Sequence, residues 1–190
     1  MTASQMNRPR ATSGTLGPCP IIETRRLVLR SHQMSDADAI TTSLSDWQVT
    51  RMLARVPVPY SHSDAVDWLN CIHATGDWYF AITEGDGVHI GCISVELQRG
   101  EWHLGYWLNR FYWGQGVMTE AVGAVMDRFF RRMPQETLFS GAFADNAGSL
   151  RIQEKLGFQI LKCSDVFSMA RNAMVPHLET RLTAEYLRRP

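Results

Sequence analysis

The stretch LGYWLNRFYWGQGVMTEA, residues 104–121, joins a strand pattern to a helix pattern through a turn that contains two glycines. Residues 102–108 are rich in aromatic and apolar side chains, and residues 117–132 carry apolar side chains at helical spacing. Gly114 and Gly116 permit positive φ angles and let an anion approach the main chain closely. The stretch therefore predicts a strand–turn–helix unit whose helix N-terminus can receive a phosphate.

Two glycines beside a helix start are, taken alone, more often a plain turn than a phosphate site. A Walker phosphate loop is excluded because no Gly-Lys-Ser/Thr follows, and a Rossmann fingerprint is excluded because its GxGxxG is incomplete. The choice between a turn and a phosphate site depends on the rest of the chain.

Outward from this unit, the pattern predicts an α+β fold. Residues 78–83, 88–97 and 102–108 indicate an antiparallel meander, preceded by a strand over 21–30 and by two helices. The first helix starts with Ser35 as N-cap and ends near Asp46; the second starts at Ser61 or Ser63, with an apolar stripe of Val66, Leu69, Cys71 and Ile72. A strand over 137–144, a helix over 146–156 and strands over 158–169 and 177–187 complete the chain. This order predicts a mixed, mostly antiparallel sheet with helices on both faces.

Length, net charge and cysteine spacing limit the classes of function that the chain can have. The 190 residues suit one domain over 21–190 after a flexible tail over 1–20, and the formal net charge of zero gives no global attraction to nucleic acid or anionic lipid. No apolar run is long enough for a membrane-spanning helix. The four cysteines lack zinc-site spacing, so we expect no metal and free thiols, three of them in or near the core. Free thiols favour the cytoplasm; Arg8 and Arg10 in the acid-free tail leave a transit peptide as the alternative.

Four blocks of sequence, which occur in the same order as in the family, together resemble the GCN5-related N-acetyltransferases (GNAT). The resemblance is to the branch of RimJ/RimL-type ribosomal-protein N-terminal acetyltransferases. The blocks are ETRRLVLR at 23–30, LGYWL at 104–108, YWGQGVMTEA at 112–121, and NAGS at 146–149 followed by KLGF at 155–158. The resemblance spans roughly residues 21–160. It implies a sheet that splays apart at its fourth strand, 102–108, and leaves a wedge for the pantetheine arm of acetyl-coenzyme A.

The resemblance also implies the cofactor-binding residues. Main-chain N–H groups of the glycine turn would receive the pyrophosphate, and main-chain groups near Tyr106 would bind pantetheine and polarise the thioester carbonyl. The residues implied are Tyr106, Trp107, Leu108, Trp113, Gly114, Gln115, Gly116, Val117, Met118, Thr119, Asn146 and Ser149. Trp113 and Met118 depart from the family's general Arg/Gln-x-x-Gly-x-Gly/Ala pattern; Met118 either narrows the cofactor site or turns toward the core.

Amine acetylation needs a proton acceptor for the amine and a donor for the leaving thiolate. The resemblance makes Ser149 the candidate acid and Asn146 a pantetheine ligand, although both residue types also simply cap helices. His103 is the candidate base because imidazole titrates near neutrality; the alternatives are a partly exposed side chain without a role, Glu101 or Glu96, and a water chain.

The acceptor is left open by the sequence. Aromatic residues Trp47, Trp68, Trp78, Tyr79 and Tyr60, with a loop over residues 51–62, suit either an acceptor groove or a core. The predicted function is transfer of an acetyl group from acetyl-CoA to a primary amine, with a protein N-terminus as one acceptor. The alternatives are a small-molecule amine such as a polyamine, amino acid or aminoglycoside, and a catalytically weak acyl-CoA-binding module. We expect a monomer or homodimer.

Overall fold

The computed structural model describes residues 15–189, which form one eight-stranded sheet with helices on both faces. The strands are β1 (Ile22–Glu23), β2 (Leu27–Ser31), β3 (Trp78–Glu84), β4 (His89–Gln98), β5 (Glu101–Leu108), β6 (Thr137–Phe143), β7 (Gln159–Ser168) and β8 (Ala173–Thr183). The helices are α1 (Ala37–Leu44), α2 (Trp47–Thr50), α3 (His62–His73), α4 (Val117–Arg132) and α5 (Ala147–Leu156). Among the described residues, no helix is long and apolar enough to cross a membrane.

The strand order is β1-β2-β3-β4-β5-β6-β8-β7, and every neighbouring pair is antiparallel except β5 and β6. The parallel pair arises because the chain leaves β5, runs through α4 across one face, and returns as β6. The predicted mixed, mostly antiparallel sheet is therefore confirmed. The hairpin between β4 and β5 turns at Arg99 and Gly100, which both have positive φ, at 51° and 85°.

The single strand predicted over residues 21–30 is wrong, because the chain folds there into the β1–β2 hairpin. Thr24 closes the turn: its hydroxyl accepts from the Leu27 N–H at 3.0 Å, and its own N–H donates to the Leu27 carbonyl at 2.9 Å. A threonine side chain can replace a main-chain partner in this way, which alternation of apolar residues does not reveal. Residues 102–108 consequently lie in the fifth strand, β5, rather than the fourth.

Three further predictions need correction. Ser35 is not the N-cap of the first long helix: a single 3-10 turn over residues 34–36, capped by Gln33, precedes α1. The last strand begins at Ala173 instead of residue 177. The cysteines are all free, but only Cys92 is buried and Cys19 half-buried, whereas Cys71 and Cys163 are exposed.

Two apolar clusters lie on opposite faces of the sheet and orient β5. Trp102, Leu104 and Leu108 pack with the buried face of α4, while Trp107 packs against the cluster of α1 and α3. Successive side chains of a strand point to opposite faces, so β5 sends alternate side chains to the two helical layers. Residues of β5 can therefore contribute to a site that opens on both faces.

The segment predicted as a flexible tail, residues 1–20, lies mostly outside the described residues. Its last part, from Thr15, packs on the domain: Leu16 is buried in the α4 cluster, the Trp78 indole donates to the Gly17 carbonyl at 3.1 Å, and Arg132 donates to the Thr15 carbonyl at 3.0 Å.

Candidate active site

The sheet opens between β5 and β6. Strand β5 pairs with β4 over the whole length of β5, from Glu101 opposite Gln98 to Leu108 opposite Gly91. Strands β5 and β6, in contrast, pair only at Trp102 with Leu138 and at His103 with Phe139. Beyond these pairs the two strands diverge, and the Ser140 hydroxyl donates to the Leu104 carbonyl at 3.0 Å at the narrow end. Main-chain groups on the β6 side of β5 therefore face a wedge instead of a strand partner.

The glycine turn lies where β5 runs into α4. Gly114 and Gly116 both have φ of 75°, a left-handed conformation that non-glycine residues adopt only at a cost. The first helical bond runs from Glu120 N–H to the Gly116 carbonyl at 3.0 Å, so the N–H groups of Val117, Met118 and Thr119 have no acceptor inside the helix. A side chain at Gly114 would meet no atom within 4 Å, so the main chain is accessible at this glycine.

Side chains around the turn fix its position. The Trp113 indole N–H donates to the Leu108 carbonyl at 2.8 Å, and the Gln115 amide donates to the Phe111 carbonyl at 2.8 Å. The Arg26 guanidinium donates to the Gln115 carbonyl at 3.1 Å, while its Nε is paired with the Glu120 carboxylate at 2.7 Å. The main-chain N–H groups at the start of α4 that have no acceptor in the helix fit a pyrophosphate.

Val117 and Met118 contribute only main-chain groups to this site, because both side chains are buried in the α4 cluster. The Met118 side chain therefore turns toward the core. The structure thus selects the second of the two alternatives that the sequence left for this residue.

On the α5 side of the wedge, Ser149 and Tyr106 form a close pair. The Tyr106 hydroxyl lies 2.7 Å from Ser149 Oγ, and the Gln153 amide nitrogen lies 3.3 Å from the same Oγ. Asn146 caps α5, since its side-chain oxygen accepts from the Ser149 N–H at 3.1 Å. Burial raises the pKa of Tyr106, while hydrogen bonds with Ser149 and Gln153 act in the opposite direction.

The wedge continues as a groove on the other face of the sheet, and the two form one cavity of about 1290 Å³ that both Ser149 and His103 line. Residues of β4, β5, β6 and β8 form its floor, and α3 with the loop after α2 forms a wall. Its carboxylate side chains outnumber its cationic ones by five to two: Asp64, Asp67, Glu96, Glu101 and Glu179 against Arg55 and Lys162.

His103 projects into the groove beside Phe139, with ring centroids 5.8 Å apart. Burial lowers its pKa, and the carboxylates of Glu101 and Glu96 act in the opposite direction. The imidazole is therefore neutral at pH 7 and can accept a proton. Glu96, opposite His103 in the β4–β5 pair, lies within the groove but is held by the Ser94 hydroxyl at 2.7 Å.

The β7–β8 turn closes one side of the groove. The Met169 N–H donates to the Ala54 carbonyl at 2.9 Å, and Arg171 Nε donates to the Arg51 carbonyl at 2.6 Å. Arg171 also binds Asp145 through both terminal nitrogens, at 2.9 and 3.0 Å. These contacts tie the loop after α2 to the turn, so the loop lies over the groove as expected.

The aromatic residues divide between groove and core. Trp68, Tyr79 and Tyr60 line the groove, whereas Trp78 is buried in the α4 cluster and Trp47 is exposed. Three of the five expected aromatic residues therefore line the groove.

A separate polar cluster lies beneath α3. His32, Asp36 and His89 are buried with their potential ligand atoms within 4.8 Å of one another. Arg30, however, already binds both carboxylate oxygens of Asp36 at 2.8 Å, so a divalent cation there would meet a guanidinium charge. Burial lowers the pKa of His32 to about 3 and that of His89 to about 4, so both imidazoles are neutral.

Five of the predicted site residues line one cavity, His103, Tyr106, Trp107, Asn146 and Ser149, whereas residues 113–119 are not among its lining residues. The contacts of these residues and of the glycine turn include three residues that the sequence did not single out, Arg26, Gln153 and, through Gln153, Thr180, and a contact of the Tyr106 hydroxyl that it did not predict. Only Gln153 had a local signal, because residues four apart share a helix face and Ser149 was already a candidate. The others are brought to the site by the sheet.

Comparison with known proteins identifies the family of the chain. A family model described as an acetyltransferase (GNAT) domain matches residues 26–159. An uncharacterized N-acetyltransferase, p20, of Bacillus licheniformis is 27% identical over 143 residues, which cover 72% of this chain and 80% of that protein.

Solved structures with the same fold include RimJ of Mycobacterium smegmatis in complex with a CoA-disulfide. It has a TM-score of 0.76 and 19% identity, with 87% of each chain covered. The ribosomal-protein-S5-alanine acetyltransferase of Vibrio fischeri has a TM-score of 0.75 and 18% identity, with 89% of this chain and 99% of that chain covered. At such identities, the similarity establishes the fold.

Proposed function

The chain belongs to the GNAT acetyltransferase family, and we propose that it transfers the acetyl group of acetyl-CoA to a primary amine, with a peptide N-terminus as acceptor. The observation that carries the proposal is the wedge between β5 and β6. Main-chain N–H groups at the start of α4, which can bind a phosphate, lie toward its open end, and the Ser149–Tyr106 pair lies on one wall. Acetyl-CoA supplies the activated thioester when it is bound. The chain's own residues position the two substrates and handle protons.

Each proposed role follows from a position in the site. The N–H groups at the start of α4 and the Arg26 guanidinium bind pyrophosphate, and main-chain groups of β5 at Tyr106 to Leu108 bind pantetheine. Asn146, with its side-chain nitrogen available beside the wedge, adds a polar contact. Neutral His103 accepts a proton from the attacking amine, directly or through water, and Ser149 donates to the leaving sulfur.

The size of the cavity supports a peptide acceptor. Sites for single small ligands measure about 300–1,000 Å³, and the 1290 Å³ here exceeds that range even before any substrate-dependent opening. We infer that the cavity holds a pantetheine arm together with a peptide-sized acceptor. A second candidate, a polyamine, is supported by the excess of carboxylates in the lining, which favours a polycationic acceptor.

Free thiol release from acetyl-CoA, measured with a panel of amines, tests the proposal. The panel contains peptides with different N-terminal residues, each beside its N-formylated form, and spermidine, free amino acids and an aminoglycoside. Turnover with peptides that is lost on N-formylation supports the peptide acceptor, and turnover with spermidine alone replaces it by the polyamine. Tight acetyl-CoA binding without turnover of any amine would reject the enzyme in favour of an acyl-CoA-binding module.

A further inference from the structure

A network of side-chain hydrogen bonds lies behind Ser149, and the mechanism above does not use it. Tyr106 reaches across the wedge from β5 to Ser149 on α5, and Gln153 lies one helical turn further along α5. Thr180, on β8, completes the network, and both Gln153 and Thr180 are only 2% exposed. Buried polar groups of this kind hold defined donor and acceptor directions because each must find a partner.

Thr180 sets the direction of the Gln153 amide. Its hydroxyl donates to Gln153 Oε1 at 2.7 Å. The amide nitrogen then faces three hydroxyl oxygens, of which Ser149 Oγ at 3.3 Å and the Tyr106 phenol oxygen at 3.4 Å are nearer than Ser140 Oγ at 3.5 Å. An amide nitrogen donates and does not accept. Gln153 therefore acts as a donor toward the Ser149 and Tyr106 hydroxyl groups.

The 2.7 Å bond between Tyr106 and Ser149 then has a preferred direction. The phenol hydrogen has two acceptors within reach, Ser149 Oγ at 2.7 Å and the Ser149 main-chain carbonyl at 3.2 Å. Because a phenol is a stronger acid than an aliphatic alcohol and Ser149 Oγ is the nearer acceptor, we assign the Tyr106 hydroxyl as donor and Ser149 Oγ as acceptor. A serine oxygen has two acceptor positions, and Tyr106 and Gln153 occupy both. The serine's own hydrogen is left for the wedge, which is the cavity that Ser149 lines.

We propose that the proton delivered to the leaving thiolate originates on Tyr106 and passes through Ser149, with Gln153 and Thr180 fixing the direction of this transfer. This inference rests on the proposed acetyl transfer. When the tetrahedral intermediate collapses, the carbon–sulfur bond breaks and its electron pair stays on sulfur. Ser149 gives its hydroxyl proton to sulfur while Tyr106 gives its own to Ser149 Oγ.

No serine alkoxide forms in this path. The negative charge ends on the Tyr106 oxygen, toward which the Gln153 N–H donates, and that oxygen regains a proton from water of the wedge after thiol release. The proton that the amine loses to His103 is released separately to solvent, so protons and charge balance over one turnover. Tyr106 therefore acts through Ser149 and does not itself touch the sulfur.

Kinetics of Tyr106→Phe, Ser149→Ala and the double variant test this path, with the acceptor amine found in the panel. Each single change should lower kcat by about 100-fold, the lower range for a positioned proton donor, while KM for acetyl-CoA changes by less than about threefold. The kcat of the double variant should also be about 100-fold below that of the wild type. Either single change already breaks the path, so the second change adds no further loss. Tyr186→Phe, an exposed tyrosine outside the site, is the control and should keep wild-type kcat.

Several outcomes would overturn the path. Tyr106→Phe at wild-type kcat would overturn it, as would losses that multiply to about 10,000-fold in the double variant, the product expected for independent residues. If Tyr106→Phe does not fold, as judged by thermal unfolding, Thr180→Val decides: it nearly conserves volume and should lower kcat by about tenfold by releasing the Gln153 amide. A Thr180→Val protein with unchanged kcat contradicts the proposal. A wild type that turns over no amine rejects the proposed function first and this path with it.

Discussion

Glu120, in the first turn of α4, holds Arg26 against the glycine turn. Its carboxylate accepts from Arg26 Nε at 2.7 Å and from the Thr24 hydroxyl at 2.7 Å, so the β1–β2 hairpin is tied to the start of the helix. Burial raises the pKa of Glu120, but the hydrogen bonds from Thr24 and Arg26 outweigh it and lower that pKa overall. The guanidinium is thereby held where it donates to the Gln115 carbonyl.

Arg26→Ala should weaken coenzyme A binding about fivefold, matching roughly 1 kcal/mol for a partly exposed charge contact. The loss should shrink at high salt, because exposed charges are screened. Titration calorimetry at low and high salt measures both effects. Arg25→Ala is the matched control, since Arg25 is an exposed neighbour, and equal losses in the two variants would contradict the assignment.

Gly116→Val should weaken coenzyme A binding about tenfold, because a left-handed conformation costs other residues roughly 1–2 kcal/mol and the turn must shift to relieve it. Gly100→Val is the matched control: Gly100 has φ of 85°, open space around it, and a place in the β4–β5 turn, at the end of β5 opposite to the glycine turn. The control should lose stability and keep its affinity. Unchanged affinity in Gly116→Val would mean that the phosphate turn is misassigned.

Arg171→Ala should raise KM for the amine with little change in KM for acetyl-CoA. Arg171 joins the β7–β8 turn to Arg51 and Asp145, so its loss frees the loop over the acceptor groove and leaves the glycine turn intact. Steady-state kinetics with each substrate varied in turn separates the two constants. A selective rise in KM for acetyl-CoA would contradict the proposal that the groove under this loop binds the amine and that the glycine turn binds acetyl-CoA.

His103→Gln should lower kcat/KM and flatten the acid limb of its pH profile. Burial lowers the pKa of His103 below its ordinary value, so the imidazole is a competent acceptor at neutral pH and loses that capacity as pH falls. Glu96→Gln, made in parallel, tests the alternative base on the neighbouring strand. An acid limb that disappears in Glu96→Gln but persists in His103→Gln would transfer the role to Glu96.

The buried pair His32 and His89 should make the protein less stable in mild acid. Their folded pKa values, lowered by burial to about 3 and about 4, lie below the unfolded value of about 6.5, so the unfolded state binds more protons as pH falls. Stability is therefore complete above about pH 7 and falls by roughly 2 kcal/mol per histidine at pH 5.

Urea unfolding at pH 8 and pH 5 measures this loss. His89→Gln should reduce the difference between the two pH values by roughly 2 kcal/mol relative to wild type. His62→Gln, an exchange at an exposed position of α3, controls for the substitution itself. The same pH dependence of stability in wild type and His89→Gln would show that the buried histidine is not the cause of the loss in acid.

The sequence by itself determined the features that depend on neighbouring residues. The left-handed glycines at 114 and 116, the helical spacing over 117–132 and the Asn146 cap follow from backbone sterics and local hydrogen bonding, and the structure contains all three. The order of elements predicted the mixed sheet, because α4 must cross a face of the sheet before the chain re-enters it. Local pattern failed where a side chain replaced a main-chain partner, as Thr24 does in the β1–β2 hairpin.

Only the tertiary structure decided which distant residues share the site. Arg26 meets Gln115 across 89 positions, and Tyr106 meets Ser149 across 43, because the strand order sets these two contacts. The burial of Met118 and the exposure of Cys71 likewise depended on which helix faces are covered. No local rule contains that information: the free energy of such contacts arises from burial and hydrogen bonding between elements that the folded sheet brings together.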